Sequence, residues 1–374
     1  MRAMSSAGLP RVIVALSGGV DSAVAALLLK EHGWDVQGLF MSNWDEDDDA
    51  YCTAAQDFQD ARAVARELSI PLHRVNFAAE YGARVFAHFL DEQRAGRTGN
   101  PDILCNREIK FGVAQRYAQR LGATWFATGH YARLVRGAAG VELHKATDQS
   151  KDQSYFLHAL GPAQLKHVLM PLGALEKSAV RARARCAGLP VFDKPDSTGI
   201  CFIGERPFRE FLLRFLPRHP GPIETANGVR LGTHEGLGFY TLGQRAGLAI
   251  GGQRGFAPAP WFVAAKNGGR NALIVVQGHD HPLLSSIELT TQVAHWLVEA
   301  PAGAFNAHVK VRYRQVDQAA RIEPRADGTA HIRFEEPQRA VTPGQYAVIY
   351  DAQRCIGGAI IAATAPLQRL NVAA

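Results

Sequence analysis

Six residues, Ser17-Gly18-Gly19-Val20-Asp21-Ser22, follow the apolar run Val12-Ile13-Val14-Ala15-Leu16 and precede a helix-like stretch from Ala23 to Lys30. A strand, a glycine turn and a helix in that order commit this end of the chain to an α/β unit with an anion cradle at the turn. Two glycines let the backbone approach a phosphate closely, and the helix aims its N–H groups and positive dipole end at the anion. Ser17 and Ser22 add hydroxyl donors. No Lys follows the glycines, as it does in loops that move a terminal phosphoryl group. A glycine turn without ligand is the plainer alternative, but the flanking strand and helix favour the cradle.

From Val12 to about Val191, short apolar runs alternate with amphipathic stretches: 36–41, 54–68, 72–76, 81–94, 109–121 and 124–128. Such alternation implies a doubly wound, mostly parallel sheet with helices on both faces, whose ligands sit at the carboxyl ends of the strands. The glycine loop, Met41 and Gly129-His130 would then converge on one crevice. Beyond Pro220 the helical periodicity fades. Asn227-Gly228 marks a hairpin, and Asn267-Gly268-Gly269 joins a second pair of strand-like runs. After Pro282, evenly spaced strand-like runs at 287–293, 307–313, 319–323, 330–334, 347–350 and 355–362 suggest a small β-barrel. The expected organisation is an α/β domain over 1–206, a small mixed central domain with hairpins over 207–283 and a C-terminal β-barrel over 284–374.

Five cysteines without CxxC pairs argue against a secreted disulfide framework and a zinc ribbon, and fit a reducing cytoplasm. No run of about 18 apolar residues suits a membrane span, and Met1 to Pro10 has no apolar core for a signal peptide. The net charge of +6 is compatible with a polyanionic partner, although many proteins that never touch nucleic acid share it.

Two cysteine segments stand out. Asn100-Pro101-Asp102-Ile103-Leu104-Cys105-Asn106 precedes a helix that Asn106 could cap, and a thiolate at Cys105 would gain from the dipole and from Arg107 or Lys110. Ser197-Thr198-Gly199-Ile200-Cys201-Phe202-Ile203-Gly204 places a second cysteine where the first domain ends. Either alone reads more readily as a small buried hydrophobe, since free cysteine is among the most buried residue types. Asp102 is a candidate for proton handling, or simply a turn or N-cap aspartate. Glu46-Asp47-Asp48-Asp49 beside Cys52 reads as a solvated acidic loop rather than a metal site, and Cys186 and Cys355 as core or incidental. Lys177, Arg181, Arg183 and Arg185 read as a solvated helix face adding to the positive field. Arg312 and Arg314, two apart in a strand, would share one exposed face.

The loop resembles that of the PP-loop (SGGxDS) ATP pyrophosphatases, which grip pyrophosphate and transfer AMP to a substrate oxygen. Over nearly the whole chain the sequence is similar to the tRNA-specific 2-thiouridylase (MnmA) family. The similarity rests on Leu16 to Ser22, Gly38 to Met41 with Asn43-Trp44, Asn100 to Phe111, Ala127 to Tyr131, Lys151 to Leu157, Asp196 to Arg206, Tyr240 to Arg245, Val311 to Arg314 and Pro343 to Gln345.

The resemblance implies ATP-dependent 2-thiolation of the wobble uridine of tRNA. Ala15, Leu16, Ser17, Gly18, Gly19, Val20, Asp21, Ser22, Met41 and Gly129 would hold ATP, with Mg2+ bridging the phosphates and no protein metal ligand assigned. Cys201 would carry a persulfide whose sulfur attacks C2 directly or leaves as hydrosulfide. Cys105 would be the nucleophile that closes a transient disulfide with it, at Cα separations of about 4.4–6.8 Å. Asn100, Pro101, Asp102, His130, Lys151, Asp152, Gln153, Arg312, Tyr313 and Gln345 would touch tRNA. The expected tRNAs read Lys, Glu and Gln codons, and the persulfide donor is a cysteine desulfurase or a sulfur-relay protein. An iron–sulfur cluster would take roughly three or four converging cysteines, and only Cys105 and Cys201 have a reason to meet. An ammonia- or amine-using ligase of the same superfamily, or an RNA-binding protein with a vestigial loop, are the competing functions. The first has no need of two thiols, and the second does not explain an intact loop.

Overall fold

The computed structural model describes residues 9–44, 54–138, 140–196 and 208–367. The chain forms two compact units, Met1–Phe86 with Pro101–Arg206 and Gln353–Ile356, and Ala87–Asn100 with Pro207–Ala352 and Gly357–Ala374.

The first unit carries strands β1 (Leu9–Ala15), β2 (Trp34–Ser42), β3 (Leu72–Asn76), β4 (Trp125–Ala127), β5 (Ala132–Gly137), β6 (Gly140–Lys145) and β7 (Val168–Leu169). Five of them make an all-parallel sheet in the order β3-β2-β1-β4-β7. Val12, Ile13 and Val14 are fully buried, as a central parallel strand covered on both faces requires. On one face Val12, Val14, Val36, Phe40 and Ala127 join α1 (Val20–Glu31), α2 (Ala54–Glu67) and the helix Lys177–Cys186. On the other, Phe126 meets Phe111 edge to face at 6.0 Å, placing the helical run Pro101–Arg120 there. Consecutive strands run outward from β1 through β2 to β3, and the chain then returns to β4 on the other side of β1. That reversal opens the crevice where ligands of such sheets bind. β5 and β6 form a hairpin, and Arg354 and Cys355 pair with β6.

In the second unit β8 (Gly221–Thr225), β9 (Arg230–His234), β10 (Trp261–Asn267) and β11 (Ala272–Gln277) form a sheet in the order β10-β11-β8-β9. The Asn227-Gly228 hairpin is present, with Gly228 at φ +81° donating to the Thr225 carbonyl. The remaining strands are β12 (Ser285–Thr291), β13 (His295–Trp296), β14 (Phe305–Lys310), β15 (Gln318–Pro324), β16 (Ala330–Arg339), β17 (Tyr346–Asp351) and β18 (Arg354–Pro366). All but β13 pair in the order β12-β16-β15-β14-β17-β18, and β18 pairs again with β12, closing a six-stranded barrel. Along β15 and β16, buried Ala320, Ile322, Ala330, Ile332 and Phe334 alternate with outward residues, the period that lets one face fill the barrel.

The expected strand 307–313 stops short. β14 ends at Lys310, and the Gln315 side chain accepts from the Val311 N–H while the Gln315 backbone N–H donates to the Arg312 carbonyl. Arg314 lies at φ +65°, so Arg312 and Arg314 sit in a turn and do not share a strand face. Among the described residues no helix is long and apolar enough to cross a membrane.

Candidate functional site

The loop after β1 is shaped from within. Ser22 Oγ donates to the Gly19 carbonyl at 3.0 Å, accepts from the Ser17 N–H at 3.1 Å and lies 3.2 Å from Ser17 Oγ. The Ser22 hydroxyl therefore sets the turn, while α1 begins without a side-chain cap, an arrangement that suits an anion at its first N–H groups. Gly18 stands at φ +81°, and a Cβ there would collide with the Asp57 carbonyl. Gly129, just beyond β4, lies so close to α1 that a Cβ would come 2.7 Å from the Ser22 nitrogen. Met41, near the end of β2, is buried. Ala15, Leu16 and Val20 are core residues beneath the loop.

Charged side chains from distant segments crowd this loop. Lys177 Nζ lies 2.7 Å from Asp21 Oδ1 and 2.8 Å from both Asp21 Oδ2 and Asp196 Oδ1. Tyr131 Oη donates to Asp21 Oδ1 at 2.8 Å, and burial followed by the Asp21 charge pushes its pKa well above the ordinary phenol value. Asp196 also accepts from Lys151 at 2.7 Å and Arg181 at 2.8 Å. Partial burial would raise its pKa, but the lysine hydrogen bonds outweigh this and hold it down at about 2. Lys194 Nζ donates to the Gly18 carbonyl at 3.1 Å, to Asp57 at 2.7 Å and to Asp60 at 2.5 Å. Desolvation opposes its charge, yet the two carboxylates raise its pKa overall. The expectation of a solvated face at Lys177 and Arg181 is thus corrected: both turn inward to acidic partners. Arg183 instead meets Glu31 at the surface, and Arg185 lies over the Phe192 ring.

Cys105 is fully buried, and its surroundings differ from the expected cap. The helix starts at Pro101, whose fixed φ suits a first turn, and Leu104 is already helical at φ −65°, ψ −38°. Asn106 is therefore inside the helix, and its Nδ2 donates to the Phe156 carbonyl at 3.4 Å. Asp102 lies in the first turn, half-buried, where a carboxylate is favoured by the dipole. Arg107 pairs with Glu108, whereas Lys110 acts on His130. His130 is buried, shares a 2.8 Å hydrogen bond between Nδ1 and Thr128 Oγ1, and lies 5.7 Å from the Phe111 ring. Burial and then the Lys110 charge hold its pKa well below the usual imidazole range, so the ring is neutral at pH 7.

The segment Lys151 to Gln153 ties these parts together. Asp152 is 5% exposed and accepts from the Ala146 N–H, the Ser154 N–H and Ser154 Oγ, so its carboxylate holds the turn. Gln153 Oε1 accepts from the Tyr131 N–H at 3.0 Å, linking this turn to the residue that holds Asp21. Cys201, with the rest of 197–207, and Cys52 with the acidic loop lie outside the described residues. Cys186 is exposed and Cys355 is core.

In the second unit Asn100 Nδ2 donates to Gln345 Oε1 at 3.3 Å, and Gln345 Nε2 donates to the Thr98 carbonyl at 2.9 Å. Arg312 is exposed and donates to the Ala340 carbonyl at 2.6 Å, while Tyr313 is half-buried beside the Arg314 guanidinium.

Three family descriptions match in succession: a tRNA methyl transferase HUP domain over 10–205, a tRNA methyl transferase PRC-barrel domain over 209–277 and an aminomethyltransferase beta-barrel domain over 286–361. The tRNA-specific 2-thiouridylase MnmA of Dichelobacter nodosus is 55% identical over 354 residues, 94% of each chain. That of Francisella philomiragia is 53% identical, covering 94% of this chain and 99% of its own. The chain belongs to the MnmA family. Some solved structures resemble it in part. The U34-tRNA thiolase NcsA from Methanococcus maripaludis with its [4Fe-4S] cluster is 17% identical at a TM-score of 0.35, covering 56% of this chain and 67% of that one. A likeness so slight carries no argument.

For an MnmA-family chain, the residues missed in the sequence are Tyr131, Lys177, Lys194 and Asp196 as partners of the loop. Lys194-Pro195-Asp196 did mark the change of texture before Cys201. Nothing local, however, signals that a lysine 156 positions from Asp21 meets it.

Proposed function

We propose that this chain thiolates C2 of the wobble uridine of tRNA, using ATP. The observation that carries the reading is the inward cluster of lysines around a helix N-terminus approached by two glycines, in a chain of the MnmA family. Ser17 to Ser22, Met41 and Gly129 hold ATP. The uridine O2 attacks the α-phosphorus, pyrophosphate leaves, and the oxygen becomes the leaving group AMP. Lys177 and Lys194 stand where negative charge departs, which supplies the cation that the loop itself lacks. Asp21, in the first turn of α1, is the carboxylate that would hold Mg2+ together with the nucleotide, and the ion would supply positive charge to neutralise the departing pyrophosphate.

In the second stage the terminal sulfur of a Cys201 persulfide reaches C2 and AMP departs. Attack of Cys105 on Cys201 Sγ forms the disulfide and frees that sulfur, either as hydrosulfide before it reaches C2 or as the 2-thio group after it has bonded C2. An external dithiol then reduces the disulfide, taking up both oxidising equivalents. Asp102 handles the proton of the attacking thiol, and Asn100, Pro101 and Asp102 face the target base. His130, Lys151, Gln153, Arg312, Tyr313 and Gln345 contact tRNA, with Asp152 acting through the turn it holds. The tRNAs are those reading Lys, Glu and Gln codons, the donor is a cysteine desulfurase or relay protein, and the setting is the cytoplasm.

Mass spectrometry of nucleosides from unmodified wobble-uridine tRNA, incubated with the protein, Mg-ATP and a persulfide donor, tests this. Wild type yields ATP-dependent 2-thiouridine. Cys105→Ser still loads persulfide on Cys201 but makes at least about 100-fold less product. Loss of loading in Cys105→Ser reverses the two cysteine roles, and pyrophosphate release without thiolation by wild type supports the ligase instead. Arg312→Ala weakens tRNA binding and lowers the salt slope by about one phosphate contact; an unchanged slope removes Arg312 from the interface.

A further inference from the structure

Asn43 follows β2 directly, two residues after Met41, and is 1% exposed. Among the described residues, neither its Nδ2 nor its Oδ1 has a hydrogen-bond partner. A buried carboxamide with both ends unmatched is costly, so a chain that keeps one has a partner for it in some working state. Its place indicates which. Val14 lies beside Gly38 and Ala127, and Ile13 beside Gln37 and Phe126. The face of Val14 and Phe40 is covered by α1 and α2, with Phe40 and Phe58 rings 5.1 Å apart. The alternation of β2 continued by one residue puts Leu39, Met41 and Asn43 on the opposite face, beyond the carboxyl end of the sheet. Its neighbour Trp44 packs on Tyr81 and Phe86 and closes that side against apolar rings.

We propose that the Asn43 carboxamide reads the adenine of ATP. This rests on the ATP site proposed above. Oδ1 accepts from the 6-amino group and Nδ2 donates to N1, the adjacent donor and acceptor that a carboxamide matches in one orientation. Unsubstituted purine keeps N1 but lacks the 6-amino group, so the amide recovers only one of the two bonds. Shielding from water makes that loss costly, because Oδ1 then stays unpaired, whereas adenine returns both bonds.

The test measures pyrophosphate release with tRNA for wild type, Asn43→Leu and Asn43→Asp, using ATP and purine riboside triphosphate, which lacks the 6-amino group. Wild type prefers ATP over the analogue. In Asn43→Leu the KM for ATP rises roughly 10- to 100-fold, the preference over the analogue falls to within about threefold, and the KM for tRNA holds. An unchanged ATP preference in Asn43→Leu overturns the proposal, and so does a wild type indifferent to the 6-amino group. A rise in the tRNA KM alone overturns it too, by giving the amide to the target base. Should Asn43→Leu fail to fold, Asn43→Asp and the wild-type comparison of the two nucleotides decide the same question. A wild type that releases no pyrophosphate from either nucleotide refutes the ATP reading itself, a different result from any of these.

Discussion

Lys177→Met is expected to slow pyrophosphate release from ATP by about 100-fold or more, mainly in kcat. Lys177 holds both oxygens of Asp21 and one of Asp196 from a side chain only 12% exposed. Its ammonium does two things there. It neutralises the Asp21 carboxylate beside the loop, and in the proposed reaction it would offer positive charge that strengthens its hold as pyrophosphate separates. With methionine, Asp21 faces the phosphates unneutralised apart from the Tyr131 hydroxyl. Lys177→Arg keeps the charge and is expected to recover part of the rate. Single-turnover pyrophosphate release with saturating tRNA gives the answer. A Lys177→Met protein with wild-type kcat would transfer the role to Lys194.

Gly18→Ala is expected to cost about 2–4 kcal/mol of stability, from left-handed backbone strain plus overpacking, and to abolish measurable ATP turnover. Its φ is +81°, and the added methyl would meet the Asp57 carbonyl, backbone that Lys194 braces through the Asp57 side chain. Gly33 supplies the comparison. It has nearly the same φ of +82° where it follows α1, but a Cβ there meets nothing within 4 Å. Gly33→Ala should therefore cost only the strain, about 1 kcal/mol, and leave ATP turnover intact. Urea unfolding of the two variants separates the terms. Equal losses would mean that the approach of Gly18 to Asp57 yields easily.

Much of the architecture was legible because it is local. The β3 strand at 72–76 has the bounds its sequence suggests, Asn227-Gly228 turns a hairpin, and the evenly spaced runs after Pro282 became a barrel. Each depends on residues a few positions apart, through side-chain alternation or the φ that glycine allows. The same local rules misplaced two features. Arg314 takes a positive φ in a turn held by the Gln315 side chain, and Asn106 is inside a helix that Pro101 had already begun.

By itself the sequence determined that this end of the chain is a strand, a glycine turn and a helix, since two glycines between an apolar run and a helix former leave the backbone few other courses. It also singled out Cys105 and weighed its burial, which is complete. Only the tertiary structure decided which cations serve the turn. Lys177, Lys194 and Tyr131 reach it from 110 or more positions away, drawn by carboxylates whose charges are paired once the sheet and helices enclose them. Periodicity shows which way a side chain turns from its own helix or strand, whereas ion pairing depends on what other segments bring within a few ångströms.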